Sequence, residues 1–234
     1  MSTRNTRYYS KKSQSGVFFS KLPKDQQVPS DDGRIERKWT FGDKSGSSWG
    51  YETTELQGMV VSAYIDESEY GINFCIGLAH EQGQDVLQVP MFKEGSLTSD
   101  IVGLARKVRG IDLSQDLLIG LWMNTKGSWT TPNGTTITPC YTTLKQPGVP
   151  HPVPVPGTWE YKDGAYEGLP GPVITTKMGK EVKDFSERDE VLYKEITDFC
   201  ARVDASGNKD KVPATPAEVA AGKTEDDTDD FDFS

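Results

Sequence analysis

The residue types that make catalysis possible are few in this chain and poorly clustered. Its two histidines, His80 and His151, fall in a turn and in a proline-rich stretch. The three cysteines, Cys75, Cys140 and Cys200, lie 65 and 60 residues apart and share no ligand spacing with the histidines. A zinc site therefore finds no cluster. There is no glycine-rich phosphate loop followed by Lys-Ser/Thr, no Gly-x-Ser-x-Gly, and no strand-borne acidic triplet suited to two metal ions. Asp66, Glu67 and Glu69 stand close together, but a solvated turn accounts for them. The expectation is a chain that is not an enzyme and carries no metal or cofactor.

Aromatic side chains interleaved with basic ones offer a different chemistry. Unpaired bases present π-faces for stacking, each stack worth about 1 to 3 kcal/mol, while lysine and arginine follow a phosphate backbone. The candidates are Arg37, Lys38 and Trp39 in one segment, then Tyr64, Trp122, Lys126, Trp129, Tyr141 and Lys145. Core packing is the competing reading for Trp122 and Tyr141, because a tryptophan on a strand is usually buried. Trp129 sits in a Thr/Gly/Asn-rich loop with no evident core to enter. The theme recurs in Arg4, Arg7, Tyr8, Tyr9, Lys11, Lys12, Phe18, Phe19 and Lys21. For these a solvated terminus, a subunit-swapping arm and a nucleic-acid contact are equally open.

These residues need elements to hold them. Residues 1–32 show no sustained period and read as a mobile basic and aromatic arm. A strand-like segment, Ile35 to Phe41, precedes a Gly/Ser-rich turn from Gly42 to Gly50. Leu56–Ile65, Tyr70–Leu78 and Asp85–Phe92 then read as three strands in meander order, the second with Tyr70, Ile72, Phe74, Ile76 and Leu78 at strict alternation. Pro90 marks the third as an edge or a bulge. Leu97, Ile101, Leu104, Ala105 and Val108 form a helical stripe, with Ser96 or Thr98 as N-cap and Gly110 as terminator. Asp116–Asn124 and Thr135–Leu144 complete the order β-β-β-α-β-β. That is the order of an OB-fold, a five-stranded barrel with one helix between its third and fourth strands.

Beyond this core, Pro147–Pro156 has five prolines in ten residues and should be extended, outside the barrel. Ser186, with Asp189 three residues on, opens a helix whose apolar positions are Leu192, Ile196, Phe199 and Val203, a face to bury on the barrel or on a second subunit. The expected organisation is thus an arm at 1–32, an OB-fold core with a proline-rich extension at 33–180, a C-terminal helix at 181–204 and a disordered acidic tail at 205–234. No apolar run approaches the roughly 18 residues needed to span a bilayer, and the polar start carries no hydrophobic block. A soluble, cytoplasmic protein with reduced thiols is expected, with no membrane partner.

The net charge of −9 is unevenly spread. Residues 1–24 carry six basic side chains and no acidic one, whereas residues 204–234 carry nine acidic and three basic ones, which leaves −9 for the middle. A phosphate-binding groove needs only local positive potential, so an acidic middle does not exclude one. Charge asymmetry between ends points to an interaction arm and an interaction tail.

An OB-type order, a Pro/Gly-rich linker and a C-terminus of clustered acids with terminal aromatics together resemble the single-stranded DNA-binding proteins of bacteria and especially of bacteriophages. The resemblance covers residues 51–144 by element order and 224–234 by motif. It implies sequence-independent binding of single-stranded DNA in replication, recombination and repair, possible homo-oligomerisation, and a tail that recruits a polymerase, primase or helicase. The matching tip is Glu225, Asp226, Asp227, Asp229, Asp230, Phe231, Asp232 and Phe233. Bacterial members end in Pro-Phe where this chain has Phe233-Ser234, and that difference favours a phage protein. The alternative is a non-enzymatic adaptor or virion component that uses an OB-like scaffold, since fold alone never fixes function.

Overall fold

The computed structural model describes residues 6–12, 15–27, 32–41, 44–69, 71–162, 165–177 and 180–211, a mainly β protein with two α-helices. In chain order the strands of its main sheet are β1 (Thr6–Lys12), β2 (Val17–Lys21), β3 (Ile35–Phe41), β4 (Lys44–Thr53) and β5 (Glu55–Ser68). They continue with β6 (Gly71–His80), β7 (Gly83–Pro90), β8 (Asp116–Met123), β9 (Cys140–Gln146) and β10 (Val153–Pro154). These ten run across the sheet in the order β10, β9, β8, β5, β6, β7, β1, β2, β4, β3. Every neighbouring pair is antiparallel except β1 and β7, which are parallel.

The expected succession of three strands, a helix and two strands is present as β5, β6, β7, α1 (Ser99–Ala105), β8 and β9. Thr98 is the N-cap of α1, its hydroxyl accepting the Ile101 amide at 3.4 Å. Leu97, Ile101, Leu104, Ala105 and Val108 are all buried, as their spacing demands. The sheet is wider than five strands, however, and it is not closed into a barrel by a backbone ladder among the described residues. The outer edge of β7 is taken by β1, with Thr6 opposite Gln84 and Ser10 opposite Gln88. From β1, Lys11 Nζ donates to the Cys140 carbonyl at the start of β9, 2.9 Å away, and pairs with Asp100 in the first turn of α1.

Three expectations are corrected. The segment read as a mobile arm contributes β1 and β2, and Tyr9, Phe18 and Phe19 are buried. Its partner strand β7 lies far along the chain, so no local period announces it. The presumed turn from Gly42 to Gly50 is largely β4. A Cβ on Gly50 would lie 2.2 Å from the Ser20 carbonyl oxygen and 2.6 Å from the Phe19 ring, so this glycine serves close approach rather than reversal. In the proline-rich stretch, Val153 and Pro154 pair with Gln146 and Lys145, at the sheet edge where a missing amide is tolerated.

The second helix, α2 (Ser186–Ala205), buries Leu192, Ile196, Phe199 and Val203 in the same core, with Phe199 edge-on to Phe74 at 6.3 Å. Its first turn differs from the expected capping pattern. The Ser186 amide is capped by Asp184, while Asp189 Oδ2 accepts the Leu97 amide at 2.9 Å and so fastens α2 to the chain leading into α1. Just before α2, the apolar run near Val173 forms a separate hairpin, β11 (Val173–Lys177) and β12 (Lys180–Asp184). The three cysteines are free thiols, Cys75 and Cys140 buried and Cys200 half-buried. No helix among the described residues is long and apolar enough to cross a membrane.

Candidate nucleic-acid interface

Strand alternation sets Tyr8, Ser10 and Lys12 on one face of β1, opposite to the buried Tyr9. On β2, Phe19 and Lys21 share a face in the same way. Together with Arg37, Lys38, Ser48 and Gln88 these side chains line a groove of about 590 Å³. Phe19 forms its floor, and two cations stand over the ring: Lys12 Nζ at 5.8 Å and Arg37 at 5.9 Å from its centroid. Arg37 is also paired with Glu52 and donates to the Ser15 hydroxyl. Burial lowers the pKa of Lys12, and the charges of Arg37 and Lys21 lower it further. These cations repel one another across the groove, and an anion seated between them would relieve that repulsion.

The exposed Tyr8 also lines a second cavity of about 300 Å³, shared with Thr6, Ser62, Tyr64, Gln84 and Lys209. Tyr64 is directly opposite Cys75 and is half-exposed; its phenol is pushed up first by burial, then by Cys75 and Tyr8. The floor between is kept flat by Gly77. Gln84 Nε2 donates to Ser62 Oγ across it at 3.1 Å, and a Cβ on Gly77 would come within 2.2 Å of both atoms. The two cavities adjoin at Tyr8, which lines both, and their lining side chains come from β5, β7, β1, β2, β4 and β3; together they are termed the trough. Six inter-strand spacings of ~4.8 Å from β5 to β3 give it a length of about 29 Å.

A second aromatic surface lies on β8 and β9. Trp122 and Tyr141 are register partners and stack at 5.7 Å with 27° between their planes. They are 55% and 44% exposed, which rules out core packing for both. Lys145, four residues along β9 from Tyr141, lies on the same face by alternation. Next along β8 on this face is Gly120, whose register partner on β5 is the exposed Glu55. Beyond the β8 end, Lys126 is exposed in the turn Thr125–Gly127, which Asn124 caps by accepting the Gly127 amide at 3.2 Å. Trp129 is 53% exposed on a small hairpin, where it pairs with Ile137.

The residues expected from sequence therefore fall into groups. Arg37 and Lys38 line the basic groove, Tyr64 the adjoining cavity, Trp122, Tyr141 and Lys145 share the β8–β9 face, and Lys126 and Trp129 belong to the loop beyond it. For Trp39 only the backbone is described, opposite Gly46 in the β3–β4 ladder. The acidic tip, Asp226, Asp227, Asp229, Asp230, Phe231, Asp232 and Phe233, lies outside the described residues. Tyr8, Lys12, Phe19 and Lys21, for which a nucleic-acid contact was one of three open readings from sequence, are brought into the same groove as Arg37 and Lys38. The signal for them was the short alternation Tyr8, Ser10, Lys12, whose meaning depends on the strands at either side. Lysines and arginines around aromatic rings are suited to holding a polyanion that carries planar groups. Among the described residues no three His, Cys, Asp or Glu side chains are grouped to hold a metal ion. Compared with known proteins, the chain matches no family model, no curated protein and no solved structure.

Proposed function

We propose that this chain binds single-stranded DNA without sequence preference, along the trough from Tyr64 to Arg37, as a non-enzymatic component of phage-type DNA replication, recombination or repair. The observation that carries the reading is the groove in which Lys12, Lys21, Arg37 and Lys38 surround Tyr8 and Phe19. Phosphates are held by the cations, while the exposed ring of Tyr8 and the half-exposed ring of Tyr64 offer surfaces to bases. We read β5 to β9 with α1 as an OB-type unit opened at β7, where β1 adds to the sheet. Two features support this: the helix stands between the third and fourth strands, and the second cavity is lined by Ser62 and Tyr64 of the first strand and Gln84 and Val86 of the third, on either side of Gly77 in the second, near the strand face where OB-folds take ligands. The β8–β9 loop with Lys126 and Trp129 takes the place of an OB ligand loop in this reading. The acidic tail is the hook for replication proteins.

The test is a fluorescence anisotropy titration of the full chain against labelled oligo-dT and a duplex of equal length. Tight, salt-sensitive binding to the single strand is expected, with a loss of about tenfold or more in the double variant Lys12→Ala/Lys21→Ala. Absence of binding to either nucleic acid at low salt, by full-length and tail-truncated chain alike, would favour the adaptor reading.

A further inference from the structure

We propose that the chain pairs with a second copy of itself through β12, edge to edge and antiparallel about a two-fold axis at Val182. The strand runs Lys180, Glu181, Val182, Lys183, Asp184, and all five residues are exposed. One edge is taken by β11, with Thr175 opposite Val182; among the described residues no strand pairs with the other. A free edge is a template for another strand, and a two-stranded hairpin alone is marginally stable in water.

The charge order commits this edge to a second copy. In an antiparallel pairing centred on Val182, Lys180 meets the partner's Asp184, Glu181 meets the partner's Lys183, and Val182 meets itself. Each charged residue thus faces the opposite sign, the arrangement that stabilises directly opposed positions. An isologous contact repeats every such pair on both sides of the axis. The other edges do not share this property. Centred on Lys38, β3 would set Lys38 against itself, and β10 carries Pro154, which has no amide to donate. Around Thr175, β11 offers Val173 to Lys177 and Ile174 to Thr176, with no ion pair. Val173, Ile174 and Val182 are 50%, 59% and 38% exposed and supply apolar area to the joined sheet. The contact is small, so the dimer is weak and concentration-dependent.

This contact does not depend on the DNA-binding reading. Sedimentation velocity of the full chain over a concentration series tests it. A reversible monomer–dimer equilibrium is expected. Lys183→Glu sets like charges across the axis at both symmetry-related positions and should weaken the dimer about tenfold or more. Adding Glu181→Lys to that variant exchanges the two signs and should restore the native dimerisation constant, while Asp184, which caps α2, stays untouched. A chain monomeric at every concentration, a dimer indifferent to Lys183→Glu, or a double variant as weak as the single one overturns the proposal.

Discussion

Lys12 shows how a single residue acquires its role from neighbours that the chain brings in from elsewhere. By itself it is one of several lysines near the N-terminus. In the groove it stands over Phe19 and is partly buried, and burial first, then the charges of Arg37 and Lys21, lower its pKa. A phosphate placed beside it favours the charged ammonium, so DNA binding at alkaline pH should take up protons. The sign follows: affinity for oligo-dT falls as pH rises from about 7 toward the ordinary lysine range near 10, because protons must then be gained on binding. Lys12→Ala should flatten that decline and reduce the slope of log affinity against log salt by about one. Anisotropy titrations at several pH and salt values check both; a pH-independent affinity would remove Lys12 from the contact.

At the scale of elements, the two helices are joined by a bond that neither helix signals on its own. The Asp189 carboxylate, partly buried beside Arg188, accepts the backbone amide of Leu97, the residue before the N-cap of α1. Without it that amide is left without its partner at a buried position, at a cost of about 1 to 3 kcal/mol. Asp189→Ala should therefore lower the urea midpoint, with an unchanged slope, whereas Glu190→Ala on the exposed side of the same turn should stay within about 0.5 kcal/mol of the native chain. Equal effects of the two substitutions would show that the bond contributes nothing beyond helix-end electrostatics.

For the whole molecule, the charge distribution becomes a prediction about the tail. Residues 225–233 hold six carboxylates and two phenylalanines, which imitate the regular charge and stackable rings of a single strand. The described residues end at Lys211, two residues past Lys209, which lines the second of the two cavities. Removing residues 224–234 should raise affinity for oligo-dT, most at low salt where competition between charges is least screened, and abolish capture of replication proteins. Replacing Phe231 and Phe233 with Ala should preserve the electrostatic part and lose the partner. Unchanged affinity after truncation, from low to moderate salt, would show that the tail does not compete for the trough.

What the sequence determined was local and periodic. Alternation in Ile72, Phe74, Ile76 and Leu78, the stripe from Leu97 to Val108 and the stripe from Leu192 to Val203 each place a buried face from nearest neighbours along the chain, and each of those residues packs in or against the core. Exposure of Trp129 was legible for the same reason, since a loop of small polar residues offers no core. Pairing between distant segments was not legible. The short alternation of Tyr8, Ser10 and Lys12 becomes a strand only because Thr6 to Ser10 lie along Gln84 to Gln88, and a parallel ladder leaves no mark in local spacing. Tertiary structure alone therefore decided that the N-terminal segment belongs to the sheet, that its cations meet Arg37 and Lys38, and that Trp122 and Tyr141 stack at the surface. Periodicity fixes which face of an element is apolar, while the identity of the element lying beside it depends on contacts that close long loops.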